Sequence, residues 1–393
     1  MNKIIYILSI LFFFSCSSKS PESEPDDAGA EEEIVEPALN SMENIQLESL
    51  SLPEGFKIDV FARVNNARSM ALSPDGTLFV ANRRKGNKVY ALRDNDGDGK
   101  ADERYVIASG LRMPNGVAFK DGSLFVAEIG KLWRFDDIEN NLANPPEPVN
   151  IYDDYPKDAH HGWKYIAFGP DGKLYVPVGA PCNICESKNE MYASITRMNP
   201  DGSDREVFVS GVRNTVGFTW HPETGEMWFT DNGRDSMGND IPPCELNRVS
   251  EKGQHFGYPY CHGGEIKDPE FGDKFPCSDF VAPAQKLGAH VAPLGLKFYT
   301  ASAFPAEYKN KMFIAEHGSW DRSQDVGHSG HKISIVTEKD GVGVAYEDFI
   351  TGFLNTETNR AWARPVDIVI AADGSMLVSD DLAGTIFRIS YEG

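Results

Sequence analysis

The chain has 393 residues and a formal net charge of −21, because 59 acidic side chains outnumber 38 basic ones. This excess of negative charge argues against a nucleic-acid partner, whose phosphates would be repelled. Neutral substrates such as sugars, and metal cations, remain compatible with the surface.

The first element predicted along the chain is an export signal, residues 1–16. Lys3 precedes an apolar run that is too short to span a bilayer, and the small residue Ser15 stands directly before Cys16. This order favours a lipoprotein signal, after which Cys16 is acylated; an ordinary cleaved signal is the alternative. The protein is therefore expected to be exported and lipid-anchored to the bacterial cell envelope, on a periplasmic or cell-surface face.

Residues 17–48 are predicted to form a disordered acidic tether. They contain almost no large apolar side chains and include an acidic block from Glu31 to Glu33. Such a segment cannot bury enough surface to offset the entropy of the chain. Residues 49–393 are then expected to fold as one domain.

This domain contains six copies of one pattern, in which a polar residue precedes a strand, a turn and a second apolar strand. The copies begin at Arg68, Pro114, Trp163, Asn214, Pro293 and Arg364. Their turns recur roughly every 50 residues, with a longer interval between Gly225 and Asn310. The pattern predicts an all-β, six-bladed β-propeller with an insertion in the fourth blade region. A strand near Phe56 to Phe61 is expected to close the ring beside Thr385 to Tyr391.

Five cysteines lie in the domain, and the export signal places them in an oxidising compartment. The expected disulfides are Cys182–Cys185 and Cys261–Cys277, with Cys244 left over. Attachment of a c-type haem is excluded at the first pair because Glu186, not histidine, follows it. A four-cysteine zinc site is the weaker alternative, since no second closely spaced pair is present.

A loop after the first repeat has alternating carboxylates at Asp94, Asp96 and Asp98, with Gly99 at the sixth place. This spacing matches the first half of a calcium-binding loop, because calcium prefers several oxygen ligands at flexible distances. The twelfth position is Tyr105 instead of glutamate, so a solvated acidic turn is an equal alternative.

In a propeller, the ends of the inner strands converge on one mouth of the central channel. Here those positions are basic and rich in histidine: Arg68, Asn115, His161, Trp163, Lys164, Arg213, Asn214, His290 and Arg364. The following loops add Glu128, Asp231, Asn232, Gly233, Glu316, His317 and Trp320. Local positive charge in an acidic protein suggests a site for an anionic ligand. For each residue alone, a structural ion pair or a core contact is the alternative.

Four segments together resemble the glucose and sorbosone dehydrogenase family, most closely its sorbosone and pyranose dehydrogenase branch. They are HHGWKYIAFGPDGKLYVPVGAPCNICE, VRNTVGFTW, FTDNGRD with ELNRV, and AEHGSWDRS. The resemblance extends from about Leu52 to Tyr391. It implies a propeller that uses pyrroloquinoline quinone and calcium to oxidise an aldose or related hydroxy-aldehyde by hydride transfer to the quinone. The electrons then pass to an external acceptor, a cytochrome or another quinone.

By this resemblance His161 is the general base that takes the hydroxyl proton of the substrate. In the glucose-oxidising branch an aspartate orients this histidine, but Ala180 occupies that position here. Either Asp158 or Asp154 replaces the aspartate, or His161 is a weaker base than its counterparts in the family.

The resemblance also assigns the contacts of the cofactors. Arg213 and Asn214 match a pair that contacts the quinone and the substrate, and Arg213 would stabilise the reduced oxygen. Gly233 and Arg234 match two residues whose backbone carbonyls hold the calcium ion. The remaining candidates for quinone contact are Arg364, His317 and Lys164, with Arg322 as an alternative to Lys164. Cys244 stands where the family has an acidic residue.

Two other classes of function remain open. A calcium-dependent lactonase would share the fold and would need Glu128, Asn115 and Asp231 to converge on the metal, but the surplus of arginine and histidine argues against it. A non-catalytic binding propeller on the cell surface would have neither a tight cofactor nor turnover.

Overall fold

The computed structural model describes residues 36–83 and 87–393. The predicted signal with Cys16, and residues 17–35 of the predicted tether, lie outside the described residues. Among those that are described, no helix is long and apolar enough to cross a membrane. The helical elements of this part are short 3₁₀ turns at Leu47–Ser49, Glu139–Asn141, Cys277–Asp279 and Ala306–Tyr308.

The strands form six antiparallel four-stranded sheets, which confirms the predicted six-bladed β-propeller. The chain begins with β1 (Phe56–Arg63), which belongs to the last blade. The first three blades contain β2 (Ala67–Leu72), β3 (Leu78–Asn82), β4 (Val89–Arg93), β5 (Glu103–Ala108), β6 (Gly116–Lys120), β7 (Ser123–Ala127), β8 (Leu132–Phe135), β9 (Val149–Tyr152), β10 (Ala167–Phe168), β11 (Leu174–Val178), β12 (Ser194–Met198) and β13 (Glu206–Ser210).

The last three blades carry two small hairpins besides their own strands. The fourth blade consists of β14 (Phe218–Trp220), β15 (Met227–Asp231), β16 (Pro243–Val249) and β19 (Gln285–Ala289), with a hairpin of β17 (Cys261–His262) and β18 (Ile266–Lys267). The fifth and sixth contain β20 (Pro293–Phe298), β21 (Met312–Glu316), β22 (Lys332–Lys339), β23 (Val342–Ile350), β26 (Pro365–Ile370), β27 (Met376–Asp380) and β28 (Thr385–Tyr391), with a hairpin of β24 (Leu354–Asn355) and β25 (Arg360–Ala361) between them.

The hydrophobic core consists of layers between neighbouring blades. Strands β3, β11, β15, β21 and β27 are buried along their whole length, so other parts of the protein cover both faces of each strand. Phe79 and Ala81 of the first blade, for example, pack with Val117, Leu124 and Val126 of the second. Each blade therefore depends on its neighbours for burial. This is why polar and apolar residues alternate so weakly along the strands of the repeats.

The ring is closed by β1, as the sequence predicts. It pairs antiparallel with β28 from Phe56 opposite Tyr391 to Arg63 opposite Thr385. The ring of Phe56 lies edge-on against the rings of Phe304 and Phe349 and that of Tyr391, at centroid distances of 4.8, 4.9 and 5.1 Å. This packing joins the start of the chain to the fifth and sixth blades.

The predicted insertion and disulfides are present. The insertion lies between β16 and β19 and carries the Cys261–Cys277 bridge. A second bridge joins Cys182 and Cys185, and Cys244 is free and buried in the layer between the fourth and fifth blades.

Residues 36–48 differ from the predicted tether because they lie against the propeller. The carboxylate of Glu36 accepts a hydrogen bond from the hydroxyl of Tyr90. The guanidinium of Arg63 donates to the carbonyl oxygens of Ser41 and Glu43, both at 3.0 Å. These contacts join residues far apart in sequence. Composition alone therefore places the start of the ordered chain too far toward the C-terminus.

Replacing Phe56 with alanine is expected to lower the free energy of unfolding by about 2–3 kcal/mol, since the side chain is half-buried and makes the closing contacts. Urea denaturation followed by tryptophan fluorescence measures this change. The control is Lys57→Ala at an exposed position of the same strand, which should change the free energy by less than ~0.5 kcal/mol. Similar losses in both variants would mean that the ring does not depend on this aromatic packing.

Candidate functional site

The candidate site lies at one end of the propeller. In every blade the first strand begins where the second strand ends, because the two are antiparallel neighbours. First strands of adjacent blades, such as β2 with β6 and β26, also contact one another around the central axis. Side chains before the first strands and after the second strands therefore meet at one mouth, as the repeat pattern predicts.

His161 is a buried imidazole in the loop before β10, with 8% of its surface exposed. Its Nδ1 lies 2.9 Å from the carbonyl oxygen of Ala180. Because a carbonyl can only accept, Nδ1 carries the hydrogen and Nε2 keeps its lone pair. Burial, together with the charges of Arg213 and His160, lowers the pKa of His161 well below 6.5. The ring is thus neutral at neutral pH, which is the state that a general base requires.

The main chain of Ala180 takes the place of the orienting aspartate. Asp154 is exposed, and the carboxylate of Asp158 accepts a hydrogen bond from the hydroxyl of Tyr192. The two substitutes considered from the sequence are therefore not what holds the ring. Ala180 also donates its N–H to the carbonyl oxygen of Arg213 at 2.8 Å, so one residue connects the histidine to the next blade.

Gly179 is required where β11 ends. A Cβ atom at this position would lie 2.6 Å from the Cβ atom of His161. Such a separation is shorter than packed carbon atoms allow, since their optimum is about 3.5–4.0 Å. The glycine therefore allows the loop of His161 to approach the strand that orients it.

Arg213 is held in place by protein groups on several sides. Its Nε lies 2.9 Å from the carbonyl oxygen of Asn183, and its Nη2 lies 2.8 Å from Oδ1 of the same residue. Nη2 also pairs with Asp235 at 3.1 Å. Asp231 instead accepts the backbone N–H groups of Arg213 and Asn214, at 2.8 and 2.7 Å. The guanidinium is therefore positioned before any ligand arrives.

A second network joins four blades on the other side of the mouth. Arg68 donates to Oδ1 of Asn115 at 2.8 Å and pairs with Asp381 at 2.9 Å. The Nε2 atom of His317 lies 2.8 Å from the other oxygen of Asp381. Arg364 donates to the carbonyl oxygen of His317 at 3.0 Å. Burial lowers the pKa of His317 to about 4, so it is neutral and donates to Asp381.

Trp163 lies between these two groups. Its ring packs against Val216, Leu294 and Val366 near the start of inner strands. It also lies edge-on to His161 with a centroid distance of 6.3 Å, and the guanidinium carbon of Arg83 lies 4.1 Å from the ring centre. The Nε1 atom is buried, and no acceptor for it is found among the described residues. An unused donor therefore lies beside the proposed base.

Lys164 does not lie with the other predicted cofactor contacts. Its amine donates to the carbonyl oxygen of Gly162 at 2.8 Å and lies 5.3 Å from the ring centre of Tyr155. Tyr155 belongs to the core between the second and third blades. Burial lowers the pKa of Lys164 to about 7. The side chain thus packs into a core layer, and its carbonyl oxygen is the part that contacts Asn115.

The predicted calcium loop is at the opposite end of the propeller. It connects β4 to β5, whereas the mouth is formed where β4 begins. One carboxylate oxygen each of Asp94, Asp96 and Asp98 lies within 4.8 Å of the others, as the spacing predicts. The oxygens of Asp94 also accept the backbone N–H groups of Gly97 and Gly99. This loop is therefore a separate feature from the site at the mouth.

The second calcium prediction, at Gly233 and Arg234, falls directly beside Arg213. Both residues line a polar cavity of about 10 Å³, large enough for about one water molecule. The cavity is also lined by Asp231 and Glu245, which face each other across β15 and β16. Burial raises the pKa of Asp231 to about 6, and burial with the charge of Asp231 raises that of Glu245 to about 7.

Sequence reasoning missed Arg83, Asn183 and Asp381. Arg83 and Asp381 directly follow the second strands of the first and last blades, so the repeat pattern contains a signal for both. They correspond to positions such as Asn232 and His317 in other blades. Asn183 has no such signal, because its role follows from the fold of the Cys182–Cys185 loop.

Comparison with known proteins gives one family match and several relatives. The model of a family described as Domain of unknown function (DUF7133) matches residues 42–386. An uncharacterized protein of Borreliella burgdorferi is 34% identical over 361 residues, which are 88% of this chain and 91% of that protein. A pyrroloquinoline quinone-dependent sugar dehydrogenase of Hypocrea jecorina is 26% identical over 211 residues, covering 45% of this chain and 46% of that enzyme.

The fold is shared with solved sugar dehydrogenases. The holo form of the PQQ domain of pyranose dehydrogenase from Coprinopsis cinerea superposes with a TM-score of 0.73 at 20% sequence identity. The match covers 87% of this chain and 97% of that domain. The resemblance noted from the sequence is thereby confirmed for the fold.

The raised pKa values of Asp231 and Glu245 predict a dependence of stability on pH. Because the folded protein binds these protons more tightly than the unfolded chain, their contribution to stability is present at low pH and lost as the pH rises through about 6 to 7. Glu245→Gln removes one of the two titrations. The melting temperature of the wild type should therefore fall more between pH 5 and 8 than that of the variant.

Thermal unfolding at both pH values measures the difference. Glu251→Gln, an exposed substitution just beyond β16, is the matched control and should follow the wild type. Parallel melting curves for the wild type and Glu245→Gln would show that Glu245 does not titrate in this range.

Proposed function

Because the chain belongs to the family described as Domain of unknown function (DUF7133), we propose its activity from the site itself. The proposed activity is oxidation of an aldose or related hydroxy-aldehyde, dependent on pyrroloquinoline quinone and calcium, with electrons passed to an external acceptor. The observation that carries this proposal is the neutral, buried His161, whose Nδ1 is held by Ala180 and whose Nε2 has a free lone pair. The fold shared with a quinone-containing pyranose dehydrogenase domain supports it.

The residues at the mouth fit a planar ring with several carboxylates. Guanidinium groups pair well with carboxylates, and two of them lie at the mouth: Arg83 over the ring of Trp163, and Arg364 beside the backbone of His317. Trp163 adds an aromatic face and a buried N–H without an acceptor among the residues described. Asn214 stands beside Arg213 at the start of the fourth blade. Lys164 is left out of this set because its amine packs into a core layer.

Calcium would be held by the backbone carbonyls of Gly233 and Arg234, beside the polar cavity. The side chain of Arg234 is committed elsewhere, since it pairs with the buried carboxylate of Asp268. When bound, the quinone and its calcium ion supply a polarised two-electron acceptor for hydride.

His161 does the acid–base chemistry of the proposed reaction. Its Nε2 accepts the proton of the substrate hydroxyl while the carbon that bears this hydroxyl gives hydride to the acceptor. The Ala180 carbonyl keeps the ring in the required tautomer and stabilises the charge that appears on it. Arg213, already positioned by Asn183 and Asp235, supplies positive charge where negative charge develops on oxygen.

The geometry does not favour the calcium-dependent lactonase. The carboxylate of Glu128 accepts hydrogen bonds from the backbone of Arg112 and the indole of Trp133. Asn115 binds Arg68, and Asp231 binds the backbone of Arg213 and Asn214. The three residues that a lactonase would need around its metal therefore have separate structural partners.

We also propose the cellular setting expected from the N-terminal sequence. The protein would be exported and attached to the cell envelope by a lipid on Cys16, with no other membrane contact. The acceptor would be a cytochrome or a quinone that reaches the mouth from outside.

Titration of the metal-depleted protein with pyrroloquinoline quinone in calcium, followed by aldoses and a dye acceptor, tests the proposal. Saturable quinone binding and sugar-dependent dye reduction are expected. Calcium binding with lactone hydrolysis but no quinone binding would transfer the assignment to a hydrolase. Absence of both activities would favour a binding propeller.

His161→Ala should retain quinone binding while kcat falls by roughly a hundredfold or more, the range for loss of a general base. His160→Ala changes the exposed neighbouring imidazole and should remain within a few-fold of the wild type. Steady-state rates with the dye acceptor measure both. An unchanged kcat in His161→Ala would remove this residue from the mechanism.

The lowered pKa of His161 also predicts the pH profile. Since the neutral ring is the active form, kcat/KM should stay constant as the pH falls through 6.5 and decline only at lower pH. A decline centred at or above pH 6.5 would contradict the neutral, buried imidazole. The profile is measured with the dye acceptor at saturating quinone and calcium.

A further inference from the structure

Three loops at the mouth bring together two aspartates and a histidine that are not assigned to the substrate, the quinone or the calcium ion in the proposed reaction. Asp235 lies in the loop between β15 and β16, His290 precedes β20, and Asp321 lies in the loop between β21 and β22. One carboxylate oxygen of each aspartate and one imidazole nitrogen of His290 lie within 4.8 Å of one another. Ligand atoms on opposite sides of a metal ion are separated by about 4–5 Å, twice the usual bond length. The three groups are thus already close enough to share one ion.

Each of these side chains is oriented by a hydrogen bond from outside the group. Oδ2 of Asp235 pairs with Arg213 at 3.1 Å, and Oδ2 of Asp321 accepts the N–H of Ser236 at 2.9 Å. The other carboxylate oxygens have no hydrogen-bond partner among the described residues. The Nε2 atom of His290 lies 2.7 Å from the carbonyl oxygen of Gly238. Nε2 therefore donates, and Nδ1 is left with a lone pair.

These hydrogen bonds are typical of side chains that ligate a metal ion. A histidine that ligates a metal usually donates its other N–H to a carbonyl or carboxylate, and ligating carboxylates are themselves hydrogen-bonded. His290 is also buried as a whole, with 9% of its surface exposed.

We infer that Asp235, His290 and Asp321 form a site for a divalent transition metal such as Mn²⁺ or Zn²⁺. One imidazole and two carboxylates suit these ions, whereas calcium prefers ligands that are all oxygen. The site is distinct from the calcium proposed at the backbone carbonyls of Gly233 and Arg234, and it does not depend on quinone binding.

The ion connects loops of the fourth and fifth blades. Even without it, these loops are joined by hydrogen bonds between Asn239 and Ser323, at 2.8 and 3.0 Å. The metal would add a link nearer to Arg213, through Asp235. It would thereby fix one wall of the mouth.

The experiment uses the full-length protein stripped with EDTA and dialysed against Mn²⁺ or Zn²⁺, followed by elemental analysis and titration calorimetry without quinone. The wild type should retain one equivalent more than Asp321→Asn or His290→Gln, whose affinity at this site should fall about 100-fold or more. Asp325→Asn, an exposed substitution in the same loop, is the matched control and should equal the wild type. Equal metal content in all four proteins would overturn the site.

A second measurement uses only the wild type, so it does not depend on whether the variants fold. Pulsed electron paramagnetic resonance of Mn²⁺ bound to the wild type should show coupling to one nitrogen, which only His290 supplies at this site. Binding without nitrogen coupling, or binding of Ca²⁺ in preference to both other ions, would contradict the assignment.

Discussion

The pairing of β1 with β28 is the interaction on which the rest of the structure depends. Each blade buries both faces against its neighbours, so an open ring would expose two apolar faces at once. Closing the ring also places the ends of six inner strands around one axis. The residues of the mouth come from all six blades, and their distances from one another are therefore set by closure.

Desolvation then determines the chemistry of the mouth. Burial keeps His161 and His317 neutral and favours protonation of Asp231 and Glu245, although His317 lies in a different network from the other three. The arginines remain charged and are held by fixed partners. The result is a mouth in which neutral bases lie beside permanent positive charge, within a protein whose total charge is strongly negative.

Much of the fold could be predicted because its signals are local. Turn residues at a regular spacing indicate six blades, and the long interval after Gly225 indicates the insertion. The site was predicted less completely, since several of its contacts involve residues far apart in sequence. Asp381 meets Arg68 across 313 positions. A backbone acceptor such as the carbonyl of Ala180 has no sequence signature. With alanine in place of the family's aspartate, the sequence alone therefore does not show what orients His161. Lys164 stands at a suitable position, but its side chain enters the core.

The Cys182–Cys185 bridge has a consequence beyond local stability. It closes the short loop whose Asn183 binds Arg213 with both its carbonyl and its side-chain oxygen. The guanidinium that supports the proposed chemistry is therefore held by a segment whose shape depends on the oxidation of two thiols. A chain with these cysteines reduced would keep its six blades yet lack a fully assembled mouth, so maturation of the site would follow the thiol redox state of its surroundings.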